Sequence, residues 1–492
     1  MGSLLNPLNT TMISTALVAI GHSFGIGAAD TAWLISVLYL ASAVAQPVLG
    51  KLADTLGPRR VFLAGLVVVI ASGVVGALAP GFGTLIVSRL LLGVGTSAAY
   101  PAAMAVLRDE SRRLGACNES SRGVAAPGTA ASGVVVGPRR SASPPSSALD
   151  STAPDTAPSS TGQLTTGPSR PTPRPVLARL SFAALGSAAV GPALGGLLVS
   201  VVGWRGIFAV NVPVALLALG AALLWVPADP PRDRAADGSA PKLSLDPLGI
   251  GLFTTALTVL VFFLLDLAHP QWWLLAPFAV LTAVLVRWQL RTPQPFIDIR
   301  MLAGNGPLLR TYIRHGLSYL LIYCVMYGYT QWLEEARGFS SGHTGLLMLP
   351  MSVTALVCSL LGARTKGLRG PLTVACLLLT AGAGILLFLS GDTPLAVLLL
   401  AGACFGAPQG LIGTSNQAAV QAYAPPEAIG AAAGLQRTAQ YIGAITASSL
   451  IALAYADAAT DAGLHLMAAA SVVLAVLLAA LTLTDRALRA RT

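Results

Sequence analysis

The sequence predicts an all-α integral membrane protein, on the evidence of its composition, its apolar runs and its charge pattern. Of the 492 residues, 54% are hydrophobic and only 10% are charged, whereas a soluble domain carries about 25% charged residues. The mean hydropathy is +0.72. The apolar runs do not alternate as the strands of a membrane barrel do, so we expect them to be helices.

Fourteen apolar runs are each close to the length of about 20 residues that a helix needs to cross a bilayer. The predicted spans are 3–21, 31–50, 61–79, 83–107, 179–202, 205–226, 246–267, 271–289, 309–333, 343–362, 371–390, 393–416, 427–453 and 462–484. The first run has no basic flank, so we expect either a start upstream of Met1 or a short first helix.

The basic residues indicate which way the spans run. With both termini in the cytoplasm, the segments on that side hold all but four of the 30 Lys and Arg, as the positive-inside bias requires. The exceptions are Arg205 and Arg337 in the opposite loops, and Arg89 and Arg437 within spans. We therefore expect a multi-pass protein of the plasma membrane that contacts the lipid bilayer and no nucleic acid.

One segment differs from the rest of the chain. Residues 115–176 are rich in Ser, Pro, Ala, Thr and Gly, and they predict a disordered cytoplasmic insert because they cannot bury enough apolar surface. The insert divides an N-terminal bundle into helices 1–4 (1–114) and helices 5–6 (177–227). Two extra central helices (246–289) and a C-terminal bundle (307–484) follow.

The loop between the second and third spans combines glycines, cations and one acid. Its notable residues are Gly50, Asp54, Gly57, Arg59 and Arg60. Glycine permits a tight turn and close helix approach. An acid here could lie against the positive end of a helix dipole, although a plain surface charge is the alternative.

Four segments in order carry a family resemblance. The loop at 50–60 resembles the signature between helices 2 and 3 of the major facilitator superfamily, and 85–95 resembles its helix 4 signature, with Leu92 in place of the usual Gln. Residues 191–196 resemble the helix 5 signature of its exporters. Residues 204–213 resemble the helix 5 to 6 junction of its fourteen-helix drug:proton antiporter family.

The resemblance implies a major facilitator fold, with two six-helix bundles plus two extra central helices that rock around a midplane cavity. It also implies efflux of drugs or secondary metabolites, driven by protons. In that family Asp54 would hold the inner gate closed against the helix that begins near Glu427. Arg59 or Arg60 could pair with Asp109 or Glu110 at the end of the fourth span.

The helix 5 signature also has a direct physical interpretation. Gly191, Gly195 and Gly196 lack side chains, so a neighbouring helix can approach closely, and Pro192 favours a kink. Such a helix could seal one side of the protein while the halves rock. Ordinary glycine packing in a membrane bundle is the alternative.

Two groups of polar side chains are candidates for a substrate cavity. Arg89 and Arg437 lie within spans and are predicted to be buried, as functional or as carbonyl-satisfied structural residues; Gln440 follows Arg437 by three positions. The ninth span carries a polar stripe of period four, which drifts by about 40° per step but stays contiguous. Its residues are Thr311, His315, Tyr319, Tyr323, Tyr327 and Gln331. Aromatic rings with hydroxyls suit drug-like ligands, and interhelical hydrogen bonding is the alternative.

One position departs from the family. The first helix usually carries an acid where this chain has Asn9, which cannot ionise, and Asp266 is the only acid clearly inside a predicted span. Proton coupling would then use His315 or Asp54, or would differ in kind. Arg89 and Arg437, without a buried acid, would make the cavity electropositive. We therefore expect neutral or anionic substrates.

No nucleotide loop, metal cluster or nucleophile set stands out, so we predict no enzyme activity, no cofactor and no metal. A solute carrier on the same scaffold is the first alternative, since fold does not fix function. A membrane scaffold or sensor that uses the insert is the second.

Overall fold

The computed structural model describes residues 8–98, 190–226, 246–267, 269–293, 295–365, 367–425 and 429–489. All of them belong to one compact unit, formed by 1–106 and 177–492. Within these ranges the chain is helical and forms no strand. The predicted insert at 115–176 lies outside them.

The helices follow the order of the predicted spans. Those of the N-terminal half are α1 (Leu17–Phe24, after a 3-10 turn at Ile13–Thr15), α2 (Ala28–Leu56), α3 (Pro58–Ala77), α4 (Phe82–Ser97), α5 (Val190–Val202) and α6 (Arg205–Trp225). The central pair is α7 (Pro247–Leu265) and α8 (Leu275–Arg291).

The C-terminal half begins with a helix of three segments. This helix, α9, runs through Gly306–Tyr323, a π turn at Cys324–Tyr329, and Thr330–Glu335. The remaining helices are α10 (Ser341–Gly362), α11 (Arg369–Leu386), α12 (Leu395–Tyr423), α13 (Ile429–Tyr455) and α14 (Asp461–Thr484), with short helices at Ile299–Gly304 and Arg486–Arg489.

Nine helices in the described ranges are long and apolar enough to cross a membrane. They are α2, α3, α6, α7, α8, α10, α11, α12 and α14. The prediction of an all-α membrane protein is confirmed, and the count of fourteen crossings stays a prediction.

Two turns define the ends of the bundle. The turn before α2 contains Gly27, and the turn between α2 and α3 contains Gly57, so we name the two ends after these glycines. Gly57 adopts φ +105°, which L-residues with a Cβ rarely adopt. Pro58 then starts α3 at a position where a missing N–H costs nothing. The predicted tight turn is therefore present.

The helices pack as two groups, and we call each boundary between the groups a seam. Helices α2, α3, α4 and α6 pack together, as do α9, α10, α11, α12, α13 and α14. At the first seam α2 packs along α13. There Ser36 and Ser448 share a hydrogen bond of 2.6 Å, and Tyr441 donates to Gln46 at 2.7 Å. At the Gly27 end, the N–H of Ala28 donates to the carbonyl of Asp457 at 3.2 Å.

The second seam depends on the glycines of α5. A Cβ on Gly195 would lie 2.6 Å from the carbonyl oxygen of Met12 in the first helical segment. A Cβ on Gly196 would collide with the carbonyl of Ser341 at the start of α10. On α10, a Cβ on Gly345 would lie 2.5 Å from the carbonyl oxygen of Pro192. Helix α5 therefore fits between the two groups only because these side chains are missing.

The central pair of helices crosses the first seam. Helix α7 packs against both α2 and α13, and Trp33 of α2 meets Phe262 of α7 with ring centroids 5.0 Å apart. Helix α8 packs on α7 and is largely exposed on its other faces. The hairpin therefore covers the α2–α13 seam from outside.

A buried carboxylate fixes this hairpin at the Gly57 end. Asp246 caps α7 by accepting from the N–H of Gly249 at 2.8 Å. It also accepts from Trp288 Nε1 at 2.8 Å and from the N–H of Phe296 at 3.3 Å. Burial by itself would raise the pKa of Asp246, but these hydrogen bonds outweigh burial and lower it.

We expect Asp246→Ala to lower the free energy of unfolding by about 1–3 kcal/mol, because it leaves buried donors without an acceptor. Since the folded-state pKa of Asp246 is lowered, its contribution is present above the unfolded-state pKa of about 3.9 and disappears as the pH falls through the folded value. Thermal unfolding in detergent at neutral and acid pH measures both effects. The control is Asp392→Ala, an exposed acid; equal melting temperatures for the two variants would contradict the role of Asp246.

A second prediction concerns the α5 seam. We expect Gly196→Ala to lower the melting temperature, since overpacking against a backbone carbonyl costs about 1–3 kcal/mol. Gly220→Ala in α6 is the matched control, because nothing lies within 4 Å of a Cβ there. If Gly196→Ala has the same melting temperature as Gly220→Ala, the α5–α10 contact can accommodate a Cβ without loss of stability, and the prediction is wrong.

Candidate functional site

The polar stripe of α9 forms a continuous ladder of rings. The ring centroids of His315 and Tyr319 are 4.6 Å apart, those of Tyr319 and Tyr323 are 5.7 Å apart, and those of Tyr323 and Tyr327 are 5.6 Å apart. Tyr319 is half-buried, whereas the other three are buried. The stripe therefore has the contiguity that its spacing predicts.

The π turn explains why the ladder stays straight toward the Gly27 end. In an α-helix, residues four apart drift by about 40°. The π turn at Cys324–Tyr329 has more residues per turn, because each hydrogen bond spans five residues, and it reverses that drift. Tyr323 and Tyr327 consequently stack with an interplanar angle of 9°. The sequence gives no local signal for this turn.

The Gly27 half of the ladder is closed by the N-terminal helices. Tyr327 shares a hydrogen bond of 2.8 Å with Tyr39 of α2 and donates to the carbonyl of Thr10 at 2.9 Å. Tyr39 also packs on the rings of Tyr323 and Tyr441. Gln331 lies one turn further along α9 and is buried. This part of the stripe bonds helices together.

The Gly57 half of the ladder faces polar side chains of α13. Gln440 donates from Nε2 to the hydroxyl of Tyr323 at 2.9 Å. Its Oε1 accepts from Arg437 at 3.0 Å. The arginine fixes which way the amide points, so the hydroxyl of Tyr323 must accept from Gln440.

A second amide determines the state of His315. Arg314 Nε donates to Asn416 Oδ1 at 3.0 Å, which turns Asn416 Nδ2 toward His315 Nδ1 at 3.3 Å. Gln436 Nε2 lies 3.4 Å from the same nitrogen. Because the Asn416 amide is oriented by Arg314, its nitrogen donates and Nδ1 of His315 accepts, which assigns the ring proton to Nε2. His315 is therefore a poor proton carrier in this state.

The prediction that Arg437 is buried is wrong. Its side chain is exposed, although its charge interacts with His315 and Tyr319. The side of α13 that carries Arg437 is open toward the Gly57 end. The position of a residue within a predicted span does not show whether its side chain is covered by other helices.

A buried ion pair was not predicted. Arg314 of α9 is buried, and its Nη1 lies 3.3 Å from Asp485 Oδ2. Arg310 lies 3.1 Å from the other oxygen of the same carboxylate. Asp485 follows the last predicted span, so the sequence gives no sign that it meets Arg314. Asp266, the only acid clearly inside a predicted span, is 42% exposed.

Arg89 lies in the N-terminal bundle near the end of the ladder. It is 1% exposed, and its guanidinium lies 5.0 Å from the ring centroid of Phe208. Its charge interacts with Tyr39 and Tyr327. Within the described ranges, its Nε and Nη2 are buried without a hydrogen-bond partner. These two nitrogens therefore do not donate there to the backbone carbonyls that would satisfy a structural arginine.

Asn9 faces the interior of the N-terminal bundle. It is 2% exposed and donates to Oδ1 of Asn211 at 2.6 Å. Asn211 in turn donates to the carbonyl of Ile207 at 3.1 Å. The amide pair joins the first helix to α6.

The loop at the Gly57 end is described only in part. Gly50 lies within α2, and Arg59 donates to the carbonyl of Leu223 at 3.0 Å, whereas Arg60 is exposed. The side chain of Asp54, and the whole of Asp109, lie outside the described residues. The predicted gate contacts of this loop therefore stay predictions.

Relatives of known class cover nearly the whole chain. The uncharacterized MFS-type transporter YwoD of Bacillus subtilis is 32% identical over 95% of this chain and 91% of its own length. The tetracenomycin C resistance and export protein of Streptomyces glaucescens is 25% identical over 94% of this chain and 75% of its own length. The puromycin resistance protein pur8 of Streptomyces alboniger is 27% identical over 91% and 78%.

Solved structures and a family model agree with these relatives. The human organic anion transporter MFSD10 matches with a TM-score of 0.57 at 16% identity, over 98% of this chain and 97% of its own. A structure reported for proton dependent oligopeptide transporters matches with a TM-score of 0.63 at 13% identity, over 99% and 97%. At such identities they show the fold alone. The family model described as Major Facilitator Superfamily matches residues 1–116 and 175–448, and this chain belongs to that superfamily of membrane transporters.

Proposed function

We propose that the chain is a proton-gradient-driven exporter of small neutral or anionic molecules, working by alternating access in the plasma membrane. The observation that carries the proposal is the ladder from His315 to Tyr327, which runs along α9 between α2 and α13. Stacked rings with hydroxyl and amide groups offer flat apolar contact together with polar handles.

The names of the relatives support export over uptake. Several are described as resistance proteins, one of them as the tetracenomycin C resistance and export protein, others as the multidrug resistance protein Stp and the puromycin resistance protein. The glycine-rich α5 that forms the second seam is the element that resembles exporters, and it favours outward transport here.

The charge pattern supports an orientation with the Gly57 end and both termini in the cytoplasm. In the described ranges the two seams are in contact at the Gly27 end, while Arg437 is exposed toward the Gly57 end. In this orientation the structure is closed to the outside, and the half of the ladder nearest His315 would receive a substrate from the cytoplasm.

The buried charges support neutral or anionic substrates. Among the described residues, the carboxylate that meets arginines of α9 is Asp485, and it already binds Arg310 and Arg314. Arg89 keeps two buried nitrogens without partners in the described ranges, next to the ladder. A lipophilic cation would face this charge at short range in a medium of low dielectric constant.

We expect proteoliposomes with an imposed pH gradient to transport neutral and anionic aromatic compounds at least tenfold faster than ethidium-like cations, a difference of about 1.4 kcal/mol in barrier. Tyr323→Phe should slow transport, because the ladder loses the hydroxyl that Gln440 binds. Tyr329→Phe is the control: Tyr329 is buried on the same helix but donates to the carbonyl of Leu398 on α12.

Three results would contradict the proposal. Strong transport of cations would overturn the substrate class, and equal loss in both tyrosine variants would remove the ladder from the substrate path. Uptake that runs with the proton gradient would favour a solute carrier on the same scaffold.

A separate prediction concerns the gate at the Gly57 end. Asp54→Asn should abolish transport while the protein still inserts, because the helix dipole loses the anion that holds the gate. Asp30→Asn, an exposed acid at the other end of α2, should transport normally. Transport by Asp54→Asn at the rate of the control would remove the gate role.

A further inference from the structure

The last turn of α9 holds a carboxyl group that the proposed function does not use. Glu334 directly follows the predicted span 309–333, and no role is predicted for it from the sequence. Its Oε2 accepts from the hydroxyl of Ser341 at 3.2 Å. Its Oε1 is buried and has no hydrogen-bond partner within the described ranges.

Glu334 lies where the two halves of the protein meet at the Gly27 end. The segment of α9 that carries it packs against the first helix and against the start of α10. Ser341, its hydrogen-bond donor, is the residue whose carbonyl contacts Gly196 of α5. Opening the α5–α10 seam would therefore bring water to this carboxyl group.

Among the described residues, no cation pairs with Glu334. Glu335 is its charged neighbour; this second carboxylate accepts from the N–H of Ala459 and interacts with His22. Arg337 donates to two carbonyls of the α11–α12 loop. His343 of α10 bonds to Ser340, and Asp461 of α14 accepts from Trp332.

These observations point to one protonation state. Glu334 as a whole is half-buried, but its Oε1 is fully buried. In the part of the chain that the structure describes, its ionised form would have one donor, no paired cation and an acid beside it, so that form is disfavoured relative to the neutral carboxyl group. Once the seam opens, water restores the stability of the ionised form. The two conformations therefore differ in their affinity for a proton at this position.

We propose that Glu334 is a proton-binding site, occupied when the Gly27 end is closed and released when it opens. Closing the seam takes up one proton, and external acid favours the closed state. The part this proton plays in transport rests on the proposed exchange mechanism. The binding itself does not, because it follows from the seam.

The test measures the opening of the Gly27 end without any substrate. Spin labels go on Gly81→Cys in the α3–α4 turn and Gly391→Cys in the α11–α12 loop, where nothing lies within 4 Å of a Cβ. The five native cysteines are first replaced (Cys117, Cys324, Cys358, Cys376 and Cys404). Pulsed electron paramagnetic resonance on the full chain then gives the distance between the halves as a function of pH.

We expect the closed-to-open ratio to fall as the pH rises, by at most about tenfold per pH unit for one proton. Glu334→Gln, which mimics the protonated group, should stay closed at every pH. Glu335→Gln should keep the pH response. Ser341→Ala removes the donor that stabilises the carboxylate, so its transition should move to higher pH.

Two outcomes would overturn the proposal: a distance that does not change with pH in the parent protein, or a full pH response in Glu334→Gln. If Glu334→Gln does not fold, the direction of the shift in Ser341→Ala decides the question. Failure of proton-driven export in proteoliposomes would leave these distance measurements unaffected, so the two proposals can fail separately.

Discussion

Lipid offers no hydrogen bonds, so a polar side chain buried in this protein is stabilised only by partners within the protein. The partners of Arg314 lie far from it in the sequence. It binds Asn416, 102 residues away, and Asp485, 171 residues away. Removing one member of such a buried pair leaves a charge that is costly to bury. The position of α9 relative to α12 and α14 therefore depends on these bonds.

The same constraint orders the candidate site. Two amides beside the ladder have their oxygens held by arginines: Gln440 by Arg437, and Asn416 by Arg314. Their nitrogens point at Tyr323 and at His315 as a consequence. Other buried groups in the described ranges have no hydrogen-bond partner there, among them Oε1 of Gln331 on the stripe and two nitrogens of Arg89. An unsatisfied buried cation is more typical of a site that binds something than of a packing contact.

Much of this arrangement could be predicted from the sequence. Apolar runs of sufficient length located the helices, and period-four spacing located the ladder, because both signals are local along the chain. Gly195 and Gly196 also predicted a close helix approach. The absence of a side chain permits close packing whichever helix is the neighbour, so this signal too is local. The tight turn at Gly57 follows from one residue type at one position.

The rest could not be predicted, because it depends on contacts between distant segments. Asp485 looks like a tail residue until Arg314 is seen beside it. Arg437 looks buried until the space next to α13 is seen. The π turn depends on the packing around α9, and the unpaired oxygen of Glu334 depends on where α10 begins. No local sequence pattern predicts any of these four features.

The α7–α8 hairpin limits how molecules can enter the interior sideways from the bilayer. It covers the α2–α13 seam on its outer side. A molecule dissolved in the membrane therefore meets α7 and α8 before it reaches this seam, so this flank of the described structure gives it no direct path to the interior.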